Sequence, residues 1–265
     1  MRRILLLFVF LIAFDAAYSQ QISISPTIMP FKLGPGQSES RVLRVTNTSD
    51  KKQSFQASIG DWLRDSLGNH QYFDPNTIAR SCASWVTVLP SFFEVQPNET
   101  VEVLVTIQAP IDPKLFEQVK WAMLFIQGTV EKTDPFVPAK TLSTQIREFY
   151  RVGVHIYETP PTITTSEAKI VGLDGDPKKE YVLTVKNTGA LMLECKTHLE
   201  LTNLESGKET KIPEQEFPLF PEGVRRTSFE LPADLPKGKY SVLGILDYGD
   251  AMPLEAIEKT IDLTK

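Results

Sequence analysis

Apolar side chains occur at every second position along most of the chain that follows residue 20. Val101, Val103, Val105 and Ile107 alternate with mostly polar neighbours, and the segment Leu191–Leu201 has the same spacing. Successive side chains of a β-strand point to opposite faces of its sheet, so this period of two predicts half-buried strands. Segments rich in Gly, Pro, Asn and Asp separate the strands and are typical of turns. The pattern predicts an all-β chain of antiparallel strands.

The chain that follows residue 19 divides into two similar halves. Thr159–Thr162 contains two consecutive prolines, which cannot donate backbone hydrogen bonds to a sheet, so we place a domain boundary there. Val42–Ser49 is similar to Val182–Gly189, since each is an apolar strand that runs into an Asn-containing turn. Repeated elements in the same order predict two tandem β-sandwich domains of the immunoglobulin type, at residues 20–158 and 162–265.

Residues 1–19 have the features of a secretory signal peptide. Arg2 and Arg3 precede the apolar run Ile4–Phe14, and Ala17–Ser19 supplies small residues before the expected cleavage site. The run is shorter than the roughly 20 residues that a membrane-spanning helix needs. We therefore expect an exported or secreted protein whose mature chain has no membrane span.

The charge balance disfavours a nucleic-acid partner. The chain has 28 Lys and Arg residues against 33 Asp and Glu residues, a formal net charge of −5. Proteins that bind nucleic acid mainly through its phosphates need clustered basic residues. The sequence has no long basic run, so we expect no nucleic-acid partner.

No spacing typical of a catalytic or metal site occurs in the sequence. His70, His155 and His198 are the only histidines, and their separation does not match a metal-ligand motif. No serine is flanked by the glycines of a nucleophile elbow. We predict a protein that is not an enzyme and has no cofactor and no metal.

The chain has two cysteines, Cys82 and Cys195, one in each predicted domain. This number and placement argue against a disulfide framework. Cys195 shares its parity with leucines on an inward-facing strand surface, so we predict that it is a small buried apolar residue.

Trp62 differs in its surroundings from the other two tryptophans. Trp85 and Trp121 lie in apolar strand segments and are predicted to belong to the core. Trp62 lies in Gly60–Gly68, which looks like an exposed loop or a small hairpin. Two interpretations follow, namely an aromatic anchor for a glycan or another partner, and a loop tryptophan that folds back onto its own domain.

The ordered features resemble the superfamily of periplasmic pilus-assembly chaperones (PapD-like), which have two immunoglobulin-like domains joined at an angle. The resemblance covers most of the first half and only the outline of the second. It implies a periplasmic protein that binds an exported subunit by lending it a strand edge. The better-matched segments are the early strand ending at Asn47, Ser84–Pro97, Ala109–Pro113 leading to Trp121, and Gln145–Arg151.

The resemblance also implies where a client would bind. In pilus chaperones an Arg in the first strand and a Lys in the last strand of the first domain bind the client's terminal carboxylate. The first strand here, Gln21–Ser25, contains no arginine. Matching Ile146–Arg151 to the family pattern Ile-Lys-x-Phe-Tyr-Arg places Arg147 at the lysine, whereas alignment on Pro160 places His155 there. Both alignments remain open.

Arg147 and Arg151 share a strand face with Phe149, opposite to the apolar set. Two guanidinium groups beside an aromatic ring could bind a carboxylate of a partner, or they could form a solvated face that prevents aggregation. We predict a non-enzymatic protein whose partner is a secreted or surface polypeptide, with a surface adhesin or glycan-binding module as the alternative. The candidate partner-binding residues are Arg147, Phe149, Arg151, His155 and Trp62.

Overall fold

A computed structural model describes residues 22–129, 150–175, 180–249 and 252–264. Within these residues the chain forms sheets of four, six, three and five strands, stacked as two β-sandwiches. The predicted all-β fold with two immunoglobulin-like domains in tandem is confirmed.

The first domain contains two facing sheets. Their strand orders are β1-β3-β8-β6 and β2-β10-β9-β4-β5, and β7 also pairs with β4. One pair, β2 with β10, is parallel, because the chain leaves the first sheet after Ser25 and enters the second at Ile28 beside the last strand. The strands are β1 (Ile22–Ser25), β2 (Ile28–Phe31), β3 (Ser38–Asn47), β4 (Gln53–Arg64), β5 (His70–Phe73), β6 (Val86–Leu89), β7 (Phe92–Val95), β8 (Thr100–Gln108), β9 (Lys120–Thr129) and β10 (Arg151–Glu158). Two short 3-10 turns lie at Ala83–Trp85 and Pro113–Phe116.

The apolar residues of the alternating pattern form the core of the sandwich. On β8 the side chains of Val103, Val105 and Ile107 are fully buried, whereas Leu104 between them is 42% exposed. Each such buried side chain contributes about 1.5–3 kcal/mol relative to an exposed one, so the alternation fixes which face of the strand turns inward. Trp85 packs in the same core, as predicted.

The second domain repeats this arrangement with sheets β11-β12-β16 and β14-β13-β17-β18, and β15 also pairs with β13. Cys195 is buried in the second core, as predicted, and Cys82 is buried in the first; the two cysteines are not bridged. No strand lies between Glu158 and Ala168, and we retain Thr159–Thr162 as the proposed domain boundary. The strands are β11 (Ala168–Gly175), β12 (Tyr181–Asn187), β13 (Leu193–Asn203), β14 (Glu209–Lys211), β15 (Gln215–Leu219), β16 (Val224–Phe229), β17 (Lys239–Asp247) and β18 (Glu255–Asp262).

The outer face of the sheet β2-β10-β9-β4-β5 carries an apolar cluster of its own. Trp121, Met123 and Phe125 alternate along β9 with the inward-facing residues of the core, and all three are buried. Leu191 and Phe220 of the second domain pack against this cluster. The sheet is therefore apolar on both faces, and its outer face forms the floor of the cleft between the domains.

The hairpin between β4 and β5 reaches the second domain. One Asp65 carboxylate oxygen accepts hydrogen bonds from the backbone N–H groups of Leu67 and Asn69, both at 2.9 Å, which closes the turn. At the tip, the backbone N–H of Arg226 on β16 donates to the Ser66 carbonyl at 2.8 Å. The turn thus joins the domains by a main-chain hydrogen bond at the cleft.

Candidate functional site

Trp62 lies within β4, in the predicted hairpin, and is fully buried. Of the two interpretations of Trp62, the exposed aromatic anchor is therefore wrong, and the tryptophan packed against its own domain is the one that the structure supports. Gly60, which suggested a loop, makes room for Phe125, because a Cβ at residue 60 would stand 2.9 Å from the Phe125 ring. Phe220 covers the indole edge-to-face with ring centroids 5.1 Å apart. This burial removes the exposed aromatic platform that a glycan site at Trp62 requires.

Two histidines also pack on the Trp62 indole. His70 on β5 and His155 on β10 meet it edge-on, with ring centroids 4.9 Å and 4.7 Å from the indole. The Nε2 atoms of the two imidazoles are 3.5 Å apart. Two imidazolium ions at this separation repel each other, so the pair favours the neutral state.

Burial and charge act on these histidines in the same direction. Burial, followed by the nearby Arg64 guanidinium, lowers the pKa of His70. Burial and the neighbouring His70 lower the pKa of His155 to about 4. Both imidazoles are therefore neutral near pH 7, and the positive charge of this region comes from arginine.

Arg64 carries its charge among aromatic rings. Its guanidinium carbon lies 5.8 Å from the Trp62 ring centroid and 6.0 Å from that of Phe220. Its Nη2 donates to His70 Nε2 at 2.9 Å, while its Nε is buried and has no hydrogen-bond partner in the described part of the chain. A buried guanidinium N–H without an acceptor is unfavourable. The charge of Arg64 also acts on the nearby Glu194 carboxylate, whose pKa burial raises and Arg64 partly lowers.

Arg225 on β16 brings a second guanidinium to the same region from the other domain. It lies 5.3 Å from the Phe217 ring centroid, and within the described residues its Nε and Nη1 atoms are buried without partners. Burial and the charge of Arg64 lower the pKa of Arg225, and Asp65 partly offsets them. The cleft thus holds two arginines, one from each domain, with N–H groups that no described acceptor satisfies.

Arg151, another predicted site residue, lies on the same face of the sheet but farther from the second domain. Its guanidinium carbon is 3.5 Å from the Phe125 ring centroid, a close cation–π contact. Arg151 therefore covers an aromatic ring that would otherwise face solvent. Arg147 and Phe149 lie outside the described residues.

The structure thus brings together Trp62 and His155, two of the predicted residues. Arg64, His70 and Arg225 complete the cluster, and the sequence analysis did not identify them as site residues. Arg64 lies two residues after Trp62 in β4, so both side chains lie on the same face of the strand. This spacing is the one local feature of the sequence that indicates Arg64 as a neighbour of Trp62. Since guanidinium groups bind carboxylates by charge-assisted hydrogen bonds, the cluster is suited to an acidic group on a partner.

In the described ranges, no helix is long and apolar enough to cross a membrane. Neither a protein-family model nor a curated protein matches the chain. Solved structures do match it over nearly its whole length, at low sequence identity.

A chain from a chaperone–tip adhesin complex of CFA/I fimbriae biogenesis is 11% identical, with a TM-score of 0.52, and the match covers 91% of this chain and 98% of that one. A chain from the chaperone–tip adhesin pre-assembly complex of Acinetobacter baumannii Csu pili is 10% identical, with a TM-score of 0.49 and coverage of 90% and 98%. A chain from the complex of the Salmonella enterica SafA pilin with its SafB chaperone is 13% identical, with a TM-score of 0.48 and coverage of 91% and 98%. On the first of these matches, the chain has the two-domain β-sandwich fold of pilus chaperones, as the resemblance in its sequence implied.

Proposed function

We propose that this chain is an exported, non-enzymatic, chaperone-like protein that binds another secreted or surface polypeptide along the edge of β10 and in the adjoining cleft. The observation that carries the proposal is the strand edge at Arg151–Val154, which has no partner strand among the described residues on the side away from β9. The fold supports the proposal, because a chain of the same fold comes from a chaperone–adhesin complex.

The backbone of β10 indicates which groups a client strand would meet. The Tyr150 carbonyl accepts from the N–H of Gly128 on β9, whereas the His155 N–H donates to the Thr27 carbonyl on the opposite side. Because backbone groups alternate along a strand, the N–H and C=O groups of Arg151 and Gly153 face the same side as those of His155. The strand β2 pairs only with His155–Glu158, so a client strand could extend the sheet at Arg151 and Gly153.

The cleft supplies positively charged groups beside the edge of β10. Arg64 and Arg225 lie near each other and have buried N–H groups without acceptors in the described part of the chain. A carboxylate on the client would satisfy them through charge-assisted hydrogen bonds. These two arginines would then take the place of the first-strand arginine and last-strand lysine of pilus chaperones.

The test compares Arg151→Pro with Arg151→Ala in the full chain. Proline removes the outward-facing N–H, whereas alanine retains it, and both variants lose the guanidinium contact with Phe125. Arg151 is the first residue of β10, where proline is tolerated, so we expect both variants to fold, as circular dichroism would verify. Each variant is used to capture partners from the native envelope fraction, and any stoichiometric partner is then purified and its affinity measured.

We expect Arg151→Ala to retain a one-to-one partner and Arg151→Pro to bind it at least tenfold more weakly. Arg64→Gln and Arg225→Gln should each weaken the same complex, with a smaller dependence on salt than in the wild type. Equal binding by Arg151→Pro and Arg151→Ala would refute strand addition at this edge. Failure of the wild-type chain to bind any purified envelope protein would refute the proposed function as a whole.

A further inference from the structure

A cavity of about 450 Å³ lies on the first domain, between the end of β5 and the start of β10. Small-molecule sites in proteins have volumes of about 300–1,000 Å³, so the cavity is large enough for a compact organic ligand. All the residues that line it belong to the first domain and are exposed, so it is separate from the cleft between the domains. They are Tyr72, Phe73, Asp74, Thr77 and Arg151.

Tyr72 supplies the main aromatic surface of the cavity. It is 51% exposed, whereas its cross-strand partner Trp62 is fully buried. The Tyr72 ring meets Phe125 edge-on, with ring centroids 5.3 Å apart and an interplanar angle of 76°, so packing holds it in place. Phe73 is also partly exposed. A fixed and exposed aromatic ring offers an apolar surface on which the C–H groups of a ligand can pack.

Two side chains of opposite charge in the lining lack polar partners. The Asp74 carboxylate has neither a hydrogen bond nor an ion pair in the part of the chain that the structure describes. The Arg151 guanidinium packs on the Phe125 ring and has no acceptor among the described residues. A carboxylate only accepts hydrogen bonds and a guanidinium only donates them. The cavity therefore offers both kinds of group to a ligand.

The loop that carries Asp74 is fixed by its own hydrogen bonds. The Thr77 hydroxyl donates to the Asp74 carbonyl at 2.7 Å, and the Thr77 N–H donates to the buried Asp61 carboxylate at 2.7 Å. A polar group that is already held in position loses less conformational freedom when a ligand binds. The free carboxylate thus has a defined place in the cavity.

The charges of Asp74 and Arg151 sum to zero, and this balance indicates the class of ligand. An anion would be repelled by the carboxylate, and a cation would be repelled by the guanidinium. A neutral molecule with several hydroxyl groups can donate to the carboxylate and accept from the guanidinium at the same time. A sugar ring has such hydroxyls, and it also has a face of C–H groups that packs on an aromatic ring.

We propose that this cavity binds a neutral hexopyranose. The C–H face of the sugar packs on the Tyr72 ring, one hydroxyl donates to Asp74, and another accepts from Arg151. The hexose can be a free sugar or the non-reducing end of a glycan, since both present the same groups.

Ligand-observed NMR of the full chain with the methyl glycosides of glucose, galactose and mannose tests the proposal. We expect saturation transfer from the protein to the ring protons of at least one glycoside, and a titration gives its affinity. A second arm uses a trisaccharide that ends in the preferred hexose. Tighter binding of the trisaccharide would identify a glycan as the source, and equal affinity would identify a free sugar.

Variants locate the site. Tyr72→Ala removes the stacking surface and Asp74→Ala removes the acceptor, so each should weaken binding about fivefold or more. Tyr72→Phe retains the ring and should keep most of the affinity. Phe92→Ala is the control, because Phe92 is 52% exposed on β7 and does not line the cavity. All the substituted residues are exposed, and circular dichroism would verify that the variants fold.

Three results would each overturn the proposal. They are no binding of any of the glycosides, unchanged binding by Tyr72→Ala or Asp74→Ala, and an equal loss of binding by Phe92→Ala. The outcome is separable from strand addition at β10, because these titrations require no client.

Discussion

Asn47 of the first domain and Asn187 of the second make the same side-chain hydrogen bonds at equivalent positions. Each ends a strand, β3 or β12, and each is fully buried. Their Nδ2 atoms donate to the carbonyl four residues later, at 2.7 Å and 2.8 Å, and to a carbonyl on a neighbouring segment, at 3.0 Å in both domains. Their Oδ1 atoms accept from the backbone N–H two residues later at 2.9 Å. The domains are thus copies at the level of individual hydrogen bonds.

Replacement of either asparagine by alanine should destabilise its own domain by about 2–3 kcal/mol, because two buried carbonyls lose their donor. Urea denaturation monitored by circular dichroism and tryptophan fluorescence would measure the loss. Asn69→Ala serves as control, since this exposed amide bonds only to the Asp65 carboxylate through its side chain, and it should cost less than about 1 kcal/mol. Similar losses for Asn47→Ala and Asn69→Ala would contradict the structural role of the buried pair.

Gly68→Ala should destabilise the contact between the domains. A Cβ at residue 68 would overlap the Arg225 guanidinium, and the φ of +94° disfavours any side chain. Gly207→Ala is the matched control, because its φ is +69° but a Cβ there would have open space. We expect Gly68→Ala to cost about 1–2 kcal/mol more than Gly207→Ala in urea denaturation. Equal costs would mean that Arg225 moves aside freely.

His155 should make the folded state less stable in acid. Burial and His70 hold its pKa at about 4, whereas the unfolded value is 6.5, so the unfolded chain binds the proton first as the pH falls. Stability is therefore lost between pH 6.5 and pH 4. His155→Gln should remove about 1–2 kcal/mol of this loss, allowing for the partial exposure of the ring, and denaturation curves at several pH values would measure it. An unchanged pH profile in the variant would contradict this account.

Glu158, unlike His155, should make the folded state more stable in acid than at neutral pH. This residue is buried, one carboxylate oxygen accepts from the Leu33 N–H at 3.4 Å, and the other has no partner among the described residues. Burial raises its pKa from 4.5 to about 7. The stability that this raised pKa contributes to the folded state is fully present below pH 4.5 and is lost as the pH rises through 7. Glu158→Gln should therefore exceed the wild type by about 2 kcal/mol at pH 8, and the gain should disappear near pH 4.5 in the same series.

The strands and the duplication of the domains were predictable because their signals are local. Alternation of apolar residues reports directly which face of a strand is buried, as at Val103 and Val105. The shared strand-to-turn segments that end at Asn47 and Asn187 reflect hydrogen bonds that form within a few residues of each asparagine. Such features depend little on the rest of the chain.

The site was less predictable because it depends on contacts that are distant in the sequence. Gly60 and Gly68 suggested an exposed loop around Trp62. In the structure, however, the Phe125 ring leaves no room for a Cβ at residue 60, and the Arg225 guanidinium leaves none at residue 68. The outer face of a sandwich is normally solvated, but here the indole is covered by His70 and His155 from distant strands and by Phe220 from the second domain. The contacts with Phe125, Arg225 and Phe220 cannot be identified from the residues that surround Trp62 in the sequence.

The main-chain hydrogen bond from Arg226 to Ser66 has a further consequence. The tip of the hairpin rests on β16, so its length acts as a spacer that sets how far the two domains open. Insertion or deletion of residues between Asp65 and Asn69 would widen or narrow the cleft while leaving both hydrophobic cores intact. A single turn thus sets the width of the cleft independently of the packing within either domain.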